Sequence, residues 1–88
     1  MNDTDDTDDL QARFEAAVAA SKTLAEKPDS GTLLELYALY KQATAGDVQG
    51  ERPGGMVANA KHDAWQKLRG KSRDEAMQSY IASVDSLG

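Results

Sequence analysis

The sequence predicts an all-α domain of four helices, and three observations lead there. Nowhere do apolar and polar residues alternate at period two over a useful length, whereas four segments repeat apolar residues at helical spacing. Helix breakers separate those segments: Pro28, the stretch from Gly46 to Gly55 with its four glycines and Pro53, and Gly70. The chain also has 88 residues and no cysteine. A domain this small, with no disulfide or thiolate metal site to staple it, relies on closely packed helices.

Residues 1–7 are polar and acidic and are expected to form a disordered tail ahead of a domain covering 8–88. Asp3, Asp5, Asp6, Asp8 and Asp9 space like calcium ligands, but the glycine and terminal glutamate of a calcium loop are missing. The first helix places Leu10, Phe14, Ala17, Val18, Ser21 and Leu24 on one stripe. Asp8 with Gln11 three residues later reads as its capping box, and Pro28 as its stop. Ser21 interrupts the stripe where an apolar residue would pack better. The second helix, capped by Asp29 or Ser30, carries Leu33, Leu36, Tyr37, Tyr40 and Thr44 on one side and ends by Gly46.

A third helix is expected from Val57 or Asn59 to Arg69, with Ala60, Ala64, Trp65 and Leu68 inward and Gly70 as terminator. Ser72 and Glu75 then form a capping box, and Met77, Tyr80, Ile81, Val84 and Leu87 repeat at helical spacing. Phe14, Leu24, Ile81 and Val84 are expected to join the first and last helices in the core. The short connections at Pro28 and Gly70 predict antiparallel neighbours, while the 46–56 loop is long enough for helices two and three to run in the same direction.

Composition narrows the function. Ten Lys and Arg against fifteen Asp and Glu give a net charge of −5, the wrong sign for general nucleic-acid binding. The apolar runs are too short for a membrane span, and no secretory signal follows Met1, so a cytoplasmic protein is expected. His62 is the only histidine, which with the absence of cysteine leaves no metal site. It adjoins Asp63, but successive helical residues point apart, so the two are not a catalytic pair; His62 reads as a surface or groove-edge residue. The 50–55 glycines lack the lysine and hydroxyl residue of a phosphate-binding loop. No nucleophile–base–orienter set is visible, and no enzyme is expected.

One patch does point to chemistry. Tyr37, Tyr40 and Lys41 stand at i, i+3 and i+4, which gathers two phenol rings and an ammonium on one helix surface. Rings offer faces for stacking a base, and an ammonium offers charge and donors to phosphate. Taken singly, the tyrosines also fit a core boundary and Lys41 an ordinary surface lysine. Together they suit a small ligand that is both aromatic and anionic.

These residues belong to a longer run, Leu36-Tyr37-Ala38-Leu39-Tyr40-Lys41-Gln42-Ala43-Thr44-Ala45-Gly46-Asp47, followed by Glu51-Arg52-Pro53-Gly54. With Ala60-Lys61-His62-Asp63-Ala64-Trp65 and Asp74-Glu75-Ala76-Met77-Gln78-Ser79-Tyr80-Ile81, the run resembles the signature of the acyl-CoA-binding proteins over nearly the whole chain after Leu10. The resemblance implies an up-down-down-up four-helix bundle that binds acyl-coenzyme A thioesters as a carrier and buffer. By position it implies ligand contacts from Lys22, Tyr37, Tyr40, Lys41, Lys61 and Tyr80, which in the family hold adenine and the 3′-phosphate. Val18, Leu33 and Leu34 fall where the family lines its acyl groove. Acyl-CoA is then cargo rather than a cofactor, and the implied partners are acyl-CoA-using enzymes, with at most transient membrane contact and a monomeric state. The chain departs from the pattern in a segment about two residues shorter between Pro53 and Lys61, in Asn59 for a lysine, in His62 for a tryptophan, and in Ser21 for an apolar residue. A competing class is a helical interaction module whose groove takes an amphipathic helix from a protein partner.

Overall fold

In the computed structural model, which describes the backbone of residues 4–87 and side chains from Asp9 onward, the chain forms four helices. They are α1 (Thr4–Ser21), α2 (Ser30–Ala45), α3 (Met56–Gln66) and α4 (Arg73–Leu87), and no strand occurs among the described residues. The first three residues of the expected 1–7 tail lie outside that range. The helix begins at Thr4 rather than after Asp8. Acidic residues suit that start because the N-terminal end of a helix carries partial positive charge. Asp8 thus lies inside the helix rather than at its start, and Gln11 donates to the Glu15 carboxylate at 3.0 Å.

The far end of α1 also differs from expectation. The helix stops at Ser21, tightening into i→i−3 bonds from Lys22 and Thr23 to the carbonyls of Ala19 and Ala20. Leu24 therefore lies past the helix, half-buried and outside the core. Asp29 caps α2 as expected, its side chain accepting from the Thr32 N–H at 2.7 Å. Gly46 ends that helix at φ 85°, a conformation few residues with a Cβ adopt. The Ser72–Glu75 capping box is reciprocal: the Ser72 N–H donates to Glu75 Oε1 at 3.1 Å, and the Glu75 N–H to Ser72 Oγ at 3.0 Å.

The core is built by three helices. Leu10, Phe14 and Ala17 of α1, Leu36, Leu39 and Ala43 of α2, and Ala76, Met77, Tyr80, Ile81 and Val84 of α4 form one buried cluster. The fourth helix packs against both α1 and α2, and α3 packs against α2. α3 is an outrigger with no fully buried residue, so its expected inner face of Ala60, Ala64, Trp65 and Leu68 is only half-buried. It also ends at Gln66, and residues 67–71 continue as turns through Leu68 N to Trp65 O and Lys71 N to Leu68 O.

The up-down-down-up order follows from which ends meet. Trp65 near the end of α3 donates to Gln42 and Gly46 at the end of α2, while Met56 and Val57 at the start of α3 share a pocket with Ser30 and Leu33 at the start of α2. Those two helices are therefore parallel. Gln42 also donates to the Lys71 carbonyl just before α4. The end of α2 thus meets the beginning of α4, and that pair is antiparallel.

Candidate functional site

Because α4 lies between α1 and α2 in the packing, those two helices splay and leave a groove on their other side. Val18, Ser21 and Lys22 form one wall, Leu33, Leu36, Tyr37 and Tyr40 the other, and Tyr80 of α4 the floor, enclosing about 310 Å³. The floor is held rigidly. Tyr80 is 4% exposed, meets Phe14 edge-on at 5.2 Å between centroids, and donates its hydroxyl to Ser21 Oγ at 3.1 Å. Ser21 Oγ in turn donates to the Val18 carbonyl at 2.7 Å. The serine that interrupts an apolar stripe thus supplies the acceptor a buried tyrosine hydroxyl requires. Tyr40 leans on Phe14 at 6.0 Å with 24° between planes and remains 40% exposed, so part of its ring faces solvent.

Tyr37 forms the ridge between this groove and a second cleft on its α3 side. Tyr37, Gln49, Glu51, Pro53, Ala58, Lys61, His62 and Trp65 line that cleft, of about 290 Å³. Two ammonium groups meet aromatic faces here: Lys61 Nζ sits 5.2 Å from the Tyr37 ring centroid, and Lys41 Nζ 5.1 Å from that of Trp65. Such contacts hold a lysine close to its ring without neutralising it, leaving donors for an anion. Toward the start of α2 and α3 the surface turns apolar. Leu33, Leu34, Tyr37, Met56, Val57 and Ala60 form an open pocket of about 300 Å³, with Ser30 and Lys61 completing its lining.

The structure therefore brings together Val18, Lys22, Leu33, Tyr37, Tyr40 and Tyr80 in one groove and joins Lys61 to it through Tyr37. Lys41 lies outside the α1–α2 groove, over Trp65. Leu34 faces the α2–α3 side, where it lines the apolar pocket and a second cleft with Ala38, Ala64 and Leu68, and it does not line the α1–α2 groove. Sequence reasoning missed Met56 and Val57, which are 89% and 66% exposed at the mouth of that pocket. Their signal was faint, an apolar pair directly after Gly54-Gly55 and outside any stripe. His62 is indeed at a cleft edge, with both ring nitrogens buried and unpaired, and its Nδ1 is 3.9 Å from Asp63.

A set of braces fixes these walls. Gln42, fully buried, donates to Asp47 Oδ1 and to the Lys71 carbonyl, both at 2.8 Å, and accepts from Trp65 Nε1 at 3.1 Å. Trp65 Nε1 is shared with the Gly46 carbonyl at 2.8 Å. The Gly70 N–H and then Gln42 donate to Asp47 and hold its carboxyl below the usual carboxylate range. Arg52 grips Asp63 through two bonds of 3.0 and 2.8 Å, which ties the 46–55 loop to α3. Asn59 Oδ1 accepts from the Gly54 N–H at 3.0 Å and closes the turn into α3. Among the described residues no group of three or more His, Asp or Glu is placed to hold a metal ion, and no helix is long and apolar enough to cross a membrane.

Comparison with known proteins gives a concordant result. The family model "Acyl CoA binding protein" matches residues 11–84. The acyl-CoA-binding protein of Saccharomyces cerevisiae is 50% identical over 76 residues, covering 84% of this chain and 87% of that one. An acyl-CoA-binding protein homolog from Manduca sexta is 46% identical over 81 residues, covering 89% and 90%. Among solved structures, acyl-CoA-binding protein 2 of Oryza sativa superposes with a TM-score of 0.84 at 44% identity, covering 89% of each chain. With the family model over residues 11–84, the relatives and the four-helix frame in agreement, the chain belongs to the acyl-CoA-binding protein family.

Proposed function

We propose that the protein binds acyl-coenzyme A thioesters of medium to long chain as a non-catalytic carrier and buffer in the cytoplasm. The observation that carries the reading is the continuity of two chemically different surfaces around Tyr37. Lysines poised on aromatic rings lie toward the Trp65 end, and toward the starts of α2 and α3 the surface opens into an apolar pocket that Lys61 borders. An acyl-CoA has the same polarity split. Its phosphates carry roughly −4 near neutral pH, counting about −1.5 to −2 for a phosphomonoester. Its tail of about fourteen methylenes gains roughly 11 kcal/mol gross on full burial, at ~0.8 per CH₂.

Lys41, Lys61 and Lys22 answer the phosphates, Tyr40 offers a face to adenine, and Tyr37 and Tyr80 wall the space between. Tyr80 serves core and site together, since its ring packs on Phe14 while its edge floors the groove. Leu33 and Leu34 line the apolar pocket that receives the tail, and Val18 extends the apolar lining into the α1–α2 groove beside Leu33. Net affinity is far below the gross figure because binding costs translational freedom and chain entropy. The carrier would act as a monomer, meet membranes only in passing, and hand its cargo to acyl-CoA-using enzymes.

Calorimetric titration with palmitoyl-CoA, free coenzyme A and palmitate, below the micelle threshold, tests the reading. Tight 1:1 binding of the thioester with both fragments much weaker is expected. Absence of heat and of competition with the thioester would overturn it and turn the search to protein partners.

A further inference from the structure

The chain has no cysteine, so a hydroperoxide meets thioether sulfur as its first sulfur target. Its methionines differ sharply in access. Met77 lies in the core at 9% exposure, whereas Met56 is 89% exposed, the most open large apolar side chain among the described residues. Met56 follows Gly54 and Gly55, two residues with no side chain to shield it, and is the first residue of α3. It is also part of a site. Its side chain lines the apolar pocket with Leu33, Leu34, Val57 and Ala60, where the proposed acyl tail lies.

We propose that Met56 is an oxidation site through which hydroperoxides lower affinity for the acyl part of the ligand. This inference rests on the acyl-CoA-binding reading of that pocket. The step balances simply: the thioether sulfur attacks the terminal peroxide oxygen, the O–O bond breaks, and methionine sulfoxide forms with release of water or an alcohol. The sulfur is oxidised and the peroxide reduced, with no further reactant. The product is polar where the pocket is apolar, and it is reversible by methionine sulfoxide reductases. Lys41 and Lys22 lie away from this pocket and only Lys61 borders it, so the effect falls chiefly on the tail and less on the coenzyme.

Digestion with trypsin makes the test clean, since Met1, Met56 and Met77 fall in separate peptides, Met56 alone in 42–61. Graded hydrogen peroxide treatment is followed by peptide mass and by titration with palmitoyl-CoA and with free coenzyme A. The 42–61 peptide is expected to gain one oxygen before the Met77 peptide. Palmitoyl-CoA affinity is expected to fall about four- to fifteenfold, the factor for roughly one to two lost methylenes of burial. Free coenzyme A affinity should fall less than palmitoyl-CoA affinity, the Met56→Leu variant should lose none of its own palmitoyl-CoA affinity on peroxide treatment, and sulfoxide reductase should restore the treated protein. Full oxidation of Met56 with unchanged palmitoyl-CoA affinity would overturn the proposal, as would an equal loss in Met56→Leu. Failure of the untreated protein to bind palmitoyl-CoA would instead reject the carrier reading itself.

Discussion

Replacing Gln42 with methionine removes three hydrogen bonds from a fully buried site while nearly keeping its volume. Gln42 joins α2 to the Asp47 loop, to the entry of α4 and to Trp65 of α3. The two bonds to neutral partners are worth about 1 kcal/mol net each, and the one to the solvent-exposed Asp47 carboxylate is left out of the sum. Two partners keep other bonds. Trp65 Nε1 still has the Gly46 carbonyl, and Asp47 still has the Gly70 N–H. Only the Lys71 carbonyl loses its side-chain donor outright, which brings the expected loss to about 2–3 kcal/mol. For a domain of this size the melting temperature falls by roughly 10–20 °C. Urea unfolding followed by helical circular dichroism should show a lower midpoint at unchanged m, since no new surface is exposed. A shift within ~0.5 kcal/mol, the range of an ordinary surface substitution, would refute the assignment of Gln42 as the junction of three helices.

Other outcomes follow from the same geometry. Lys41→Ala should weaken palmitoyl-CoA binding by about 1–3 kcal/mol through loss of a charge-assisted contact, and equal affinities by calorimetry would remove Lys41 from the phosphate site. Tyr37→Phe should cost less, since the ring and its contact with Lys61 survive loss of the hydroxyl. Ser72→Ala removes the acceptor for the Glu75 N–H and should destabilise the fold by ~1 kcal/mol in urea. Backbone N–H groups of Thr32, Gly70 and Ser72 lower the carboxyl pKa of Asp29, Asp47 and Glu75 respectively. A carboxylate lowered on folding contributes stability that is fully present above its unfolded pKa and is lost as pH falls through the folded one. Melting temperature should therefore fall below roughly pH 4, and Asp29→Asn should lose less in that range than the parent.

Much of the fold was legible because local signals agreed with one another. The Asp29 cap, the Gly46 stop and the Ser72–Glu75 box are short-range chemistry, and each closes as its residues require. The core stripes of α2 and α4 were readable where burial is complete, as at Leu36, Met77, Ile81 and Val84. The errors lie where two local signals compete or where the partner is distant. Asp8 is a good cap, but the aspartates before it also suit a helix start, and the helix extends to Thr4. The stripe of α3 has helical period, yet periodicity does not say how many neighbours a helix has. Packed on α2 as its only helical neighbour among the described residues, α3 buries nothing fully.

The candidate site shows the same division more sharply. Tyr37, Tyr40 and Lys41 were found as one patch by their spacing, yet the structure sends them to different surfaces. Tyr40 goes to the α1–α2 groove, Tyr37 to the ridge, and Lys41 to the Trp65 ring. A helix surface turns 100° per residue, so a patch one turn long spans both sides of a ridge once helices pack on either flank. One short run thereby presents side chains to two unlike surfaces. Ser21 makes the converse point: as a letter in a stripe it is a flaw, and only the approach of Tyr80 from 59 residues away gives its hydroxyl a purpose. Gln42 belongs to both cases, adjacent in sequence to Lys41 yet fully buried. The segment that presents the site is therefore also the one that fastens α2 to α3 and α4. A change at Gln42 should accordingly lower stability first and affinity only through the displaced Trp65 and Lys41.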